Sequence, residues 1–81
     1  MVIVKTDDTI YMNVDKIYAS SGGDYHNPGL YVSNADGIYQ VISCDENRAK
    51  DMLDDTMEII SDQLIDSNVA IIEFHNGHVC G

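Results

Sequence analysis

Residues 43–67, SCDENRAKDMLDDTMEIISDQLIDS, decide how the rest of the chain is read. Ser43-Cys44-Asp45-Glu46 matches a capping box, in which the Ser43 hydroxyl accepts from the Glu46 amide while the Glu46 carboxylate reaches back. A helix is predicted from there to about Ser67. Ala49, Met52, Leu53, Met57, Ile60 and Leu64 recur at the three-and-four spacing of a buried stripe. At about 100° per residue, Asp51, Asp54, Asp55, Glu58, Asp62 and Asp66 fall within an arc of roughly 120° opposite that stripe.

A helix with one apolar stripe needs a sheet to cover it, and the flanking sequence supplies strands. Downstream, Val69-Ala70-Ile71-Ile72-Glu73-Phe74 reads as a strand. The Asn76-Gly77 pair then reads as a two-residue hairpin turn, with Val79-Cys80 pairing back. Upstream, Leu30-Tyr31-Val32 and Ile38 to Ile42 flank Ser33 to Gly37, where Asp36-Gly37 supplies the positive φ of a hairpin. Val2 to Lys5 and Thr9 to Met12 form another hairpin around Thr6-Asp7-Asp8, and Val14 to Ser20 either continues it after a break at Asn13 or forms a third strand. Ser20 to Gly29 concentrates turn-forming residues and is the longest loop. The expected architecture is a single α+β domain over residues 1–81, an antiparallel sheet of four to six short strands with one long acidic amphipathic helix on one face.

The charge balance is the strongest compositional signal. Fourteen Asp and Glu face four Lys and Arg, for a net charge of −10, and eleven of the acids are Asp, the poorer helix former. Such a charge discourages contact with nucleic acid or anionic lipid and favours basic protein surfaces or cations as partners. No apolar run approaches the roughly 20 residues of a membrane span. Nothing at the N-terminus resembles a signal peptide, and Cys44 and Cys80 make no disulfide framework, so a cytoplasmic chain with reduced thiols is expected.

The acidic helix face has two readings. A run of charge is ordinarily a solvated surface. Here, however, like charges three and four residues apart repel by a few tenths of a kcal/mol each. Asp62 and Asp66 also sit toward the helix C-terminus, where the dipole disfavours anions. Ile65 projects from the same arc; a tolerated surface isoleucine is the commoner case, but an apolar residue there gains nothing from folding unless something covers it. Tyr25, in the longest loop, is the tyrosine least suited to the core and the best suited to an interface.

Reactive constellations are sparse. His75-x-x-His78-x-Cys80 has metal-ligand residue types, but the two histidines flank a turn, and a cross-strand pair on an exposed hairpin is the commoner reading. A fourth ligand would have to come from Cys44 or Glu73, and the pattern assigns no metal or other cofactor. Cys44 follows the expected cap, where a dipole lowers a thiol pKa, yet a small buried cysteine closing a strand is the commoner case. No pair of carboxylates with contrasting environments emerges for acid–base work, so an enzyme is not expected.

With Asp51 to Asp66 as an acidic helix and Asp7, Asp8, Asp24 and Asp36 in loops, the chain resembles the small anti-defence proteins of phages and mobile elements, the anti-CRISPR proteins among them. The resemblance is one of size, charge and architecture. It implies carboxylates that mimic phosphates and occupy a basic channel on a CRISPR-associated nuclease in the host bacterial cytoplasm. The expected contacts are Asp51, Asp54, Asp55, Glu58, Asp62 and Asp66, with Ile65 and Tyr25 as apolar anchors. The apolar strand at Val69 to Phe74 and the Val79-Cys80-Gly81 tail depart from a pure charge mimic and leave room for homodimerisation through a sheet edge. The competing readings are an oligomeric sponge that traps a nucleotide signal near Ser21 to Gly29, and an accessory protein that binds another host protein.

Overall fold

The computed structural model describes residues 1–81, and its elements run β1 (Val2–Lys5), β2 (Ile10–Tyr11), β3 (Lys16–Ser20), β4 (Gly29–Asn34), β5 (Gly37–Ser43), α1 (Glu46–Asp66), β6 (Ala70–His75) and β7 (His78–Cys80). The class is α+β, with one long helix, as expected. Seven strands form two sheets, ordered β2-β1-β6-β7 and β3-β4-β5. All pairings are antiparallel except β1 with β6, which run parallel in register from Val2↔Ala70 to Lys5↔Glu73. That pairing departs from the purely antiparallel sheet read from the sequence. A parallel partner requires a long crossover, and α1 is the crossover's last leg.

The cap of α1 lies two residues later than expected. Asp45, in extended geometry at φ −66 and ψ 162, accepts the Arg48 amide at 2.9 Å. Ser43 instead ends β5, paired with Gly29. Aspartate caps as well as serine, and its charge also suits the positive end of the helix dipole.

Two residues join the sheets. Asn13 adopts a left-handed φ of 52 and breaks the chain between β2 and β3. Val14 then donates its amide to the Val2 carbonyl, and Asp15 donates to the Ser33 carbonyl, both at 2.9 Å. Consecutive amides therefore bond to different sheets. Tyr11 stacks on Tyr39 with ring centroids 4.8 Å apart, which fastens β2 to β5.

Helix α1 packs on strands of both sheets, β3 and β4 on one side and β6 and β7 on the other. The core collects Val4, Leu30, Val32, Ile42, Ile72 and Phe74 beneath it. Along β6 the alternation is strict, with Ala70, Ile72 and Phe74 buried and Ile71, Glu73 and His75 directed outward. The helix buries Ala49, Met52, Thr56 and Ile60, so its inward face is rotated from the expected stripe. Met57 and Leu64 remain 47% and 42% exposed. Thr56 takes the central place because its hydroxyl donates to the Met52 carbonyl at 2.7 Å, satisfying the buried oxygen within the helix.

Local turns follow side-chain chemistry. Asn76 and Gly77, at φ 51 and 77, form the expected hairpin turn. The β4–β5 turn falls on Ala35-Asp36, one residue earlier than read, because the Asn34 side chain accepts the amides of Asp36 and Gly37 at 2.9 and 3.2 Å. The Ser20 to Gly29 loop folds back over β4, where the Tyr31 hydroxyl donates to the Asn27 carbonyl at 2.5 Å. The His26 ring meets Tyr31 edge-on. Beyond the end of β7, the main chain of β6 is met by Gln63 from α1. Its side chain accepts from the Ile71 amide at 2.8 Å and donates to the Ile71 carbonyl at 2.9 Å. No helix is long and apolar enough to cross a membrane.

Ile72 is fully buried at the parallel seam, opposite the equally buried Val4. Ile72→Val is expected to lower stability by about 1 kcal/mol and Ile72→Ala by about 3 kcal/mol in urea denaturation, because the seam is clamped by α1 and relaxes little around a void.

Candidate functional site

Asp51, Asp54, Asp55, Glu58, Asp62 and Asp66 are all exposed on α1. None of them enters an ion pair, for the salt bridges are Lys5 with Glu73, Lys50 with Glu46, and His75 with Asp7 and Glu73. The basic side chains are occupied elsewhere, since Lys16 lies over the Tyr18 ring at 5.2 Å from its centroid. Arg48 reaches toward Gly77 at the β6–β7 turn. The ridge carboxylates thus have no ion-pair partner, and the nearby cation is Arg48, which shares a cleft with Asp51 and Asp55. From Asp51 to Asp66 it rises about 22 Å, roughly one charge per 4.5 Å, against about 3.4 Å per phosphate along one strand of duplex DNA.

One flank of the ridge borders β7. A shallow cleft of ≈ 300 Å³ is lined by Asp55, Glu58, Ile59, Asp62 and Val79. A second, of ≈ 280 Å³, lies among Arg48, Asp51, Met52, Asp55 and the hairpin residues Gly77 to Val79. Ile65 is 77% exposed within the acidic arc, and the exposed Met57 and Leu64 lie farther around the helix, beyond Asp54, Ser61 and Lys50. Met57 and Leu64 were absent from the sequence-based contact set because their spacing matched the buried stripe, and Thr56 displaced them. Tyr25 is 99% exposed at the tip of the Ser20 to Gly29 loop. It lies away from α1 in the chain, held by a loop that packs on β4, and the structure draws no contact between it and the acidic ridge.

A separate group of polar side chains gathers on the outward face of β6 and β7. One donor atom each from Glu73, His75 and Cys80 lies within 4.8 Å of the others. Glu73 and Cys80 are directly opposed across the hairpin, and His75 opposes His78. The ligand types read from the sequence therefore assemble with Glu73 in place of His78. His75 Nδ1 contacts the Asp7 carboxylate at 2.5 Å, and Nε2 faces Glu73 Oε2 at 3.6 Å. The Asp7 hydrogen bond raises the imidazole pKa above its ordinary 6.5, and together with the charges of Asp7 and Glu73 it outweighs the opposing effect of desolvation. Asp7 could not be tied to this face from the sequence, because only the β1–β6 register brings the first turn beside His75. Cys44 sits half-buried against the core, as a strand-closing cysteine.

No protein-family profile matches the chain, and neither the curated proteins nor the solved structures yield a significant match.

Two measurements follow from this geometry. Asp66→Lys, at the anionic end of a helix whose last turn has no basic residue, should raise stability by about 0.5–1 kcal/mol in urea denaturation. The folded state binds the His75 proton more tightly than the unfolded chain does. The stabilisation from that pair is therefore full below pH 6.5 and is lost as pH rises through the raised folded value. In chelator-treated protein, NMR titration of the His75 ring should give a midpoint above 6.5 that returns toward it in Asp7→Asn.

Proposed function

We propose that the chain is a non-enzymatic binding protein that lays the acidic face of α1 on a basic nucleic-acid-binding surface and so inhibits the protein that owns it. The reading is carried by one observation: six carboxylates stand exposed on one unbroken helix with no ion-pair partner of their own. Their mutual repulsion and the unfavourable position of Asp62 and Asp66 are relieved when cations approach from outside. Ile65, 77% exposed within the acidic arc, adds apolar area to the charged contact. The size, charge and architecture resemble those of anti-CRISPR proteins, which makes a bacterial defence nuclease the partner of choice.

The sponge reading has less support. A nucleotide signal is anionic, and Lys16, the basic residue on β3, is already placed over Tyr18.

The test is a capture experiment from bacterial lysate at low ionic strength, with a high-salt elution step. Wild type is expected to retain a basic nuclease that elutes only with salt, and the Asp55→Lys, Glu58→Lys double variant, folded by circular dichroism, to lose it at least 100-fold. Equal retention by the double variant would remove the acidic face from the mechanism.

A further inference from the structure

We propose that Glu73, His75 and Cys80 form a binding site for a borderline-soft divalent cation of the zinc type, which clips the C-terminal strand to β6. The three residues offer one carboxylate oxygen, one imidazole nitrogen and one thiolate, a donor set suited to zinc. Tetrahedral zinc holds such donors about 3.3–3.8 Å apart. His75 Nε2 and Glu73 Oε2 already stand at 3.6 Å. Only the Cys80 side chain has to swing inward, from within 4.8 Å, and it is exposed and free to do so.

Each of the other two ligands is oriented from behind. Asp7 takes His75 Nδ1, which places the ring proton on that nitrogen and leaves the Nε2 lone pair directed at Glu73. Lys5 takes Glu73 Oε1 at 3.3 Å and leaves Oε2 for the ion. A carboxylate behind the histidine and an ammonium behind the glutamate restrict both side chains before the metal arrives. An ordinary exposed cross-strand pair has no such backing. The protein's net charge of −10 also favours a cation over an anion at this face. Three protein ligands leave the fourth position to water.

The consequence is mechanical. Strand β7 has three residues and lies at the edge of its sheet. A bond from Cys80 to an ion held by Glu73 and His75 would fasten that strand at its far end, opposite the Asn76-Gly77 turn.

Cobalt(II) titration of the reduced full chain tests the proposal. A thiolate-to-cobalt absorption band is expected to saturate at one ion per chain and to be displaced by zinc. Cys80→Ser should abolish the band and Cys44→Ser should keep it. Asp7→Asn, which leaves all three ligands in place, should weaken zinc binding by about 10–100-fold. Zinc should raise the Tm of wild type and not that of Cys80→Ser. Absence of the band, its survival in Cys80→Ser, or unchanged affinity in both His75→Ala and Glu73→Gln would overturn the site.

Discussion

The parallel pairing of β1 with β6 is the constraint on which the remaining geometry depends. It sets Val4 against Ile72, both fully buried, at the centre of the four-stranded sheet. It also forces everything between the two strands, including the second sheet and α1, to serve as the connection. Because the strands run the same way, the chain must return across a face before it can re-enter the sheet, and the helix does that while covering the apolar side of both sheets. The same register brings Lys5 beside Glu73 and carries the turn after β1 to His75. One pairing thus fixes the core, the orientation of the acidic face, and the polar cluster on the opposite surface.

Much of the fold was legible locally. The helix and its end at Asp66, the Asn76-Gly77 turn and the strands on either side of that turn follow from short-range propensity and periodicity, which act over a few residues. Three features were not legible, for separate reasons. Strand direction between β1 and β6 depends on contacts across most of the chain, and no local signal encodes it. The rotated face of α1 depends on Thr56, whose hydroxyl is polar on any scale yet is satisfied by the helix's own backbone at Met52. The cap at Asp45 competed with an equally good motif at Ser43, and the strand ending at Ser43 decided between them.

The candidate sites divide in the same way. Asp51, Asp54, Asp55, Glu58, Asp62 and Asp66 share a face because helical geometry alone puts them there, so the sequence was sufficient to group them. Their freedom from ion pairs was not readable, since Arg48 and Lys50 precede them by only a few residues, and only the structure directs Arg48 to the hairpin and Lys50 to Glu46. Glu73, His75 and Cys80 converge through strand pairing, and their partners Asp7 and Lys5 come from the other end of the chain.

The carboxamide of Gln63 stands where a neighbouring strand would stand, saturating both main-chain groups of Ile71. A short sheet with an apolar strand such as AIIEFH would otherwise offer a template for cross-β growth. This side chain therefore blocks strand addition along the stretch of β6 that β7 leaves uncovered, and the sheet edges that stay open are β2, β3, β5 and β7.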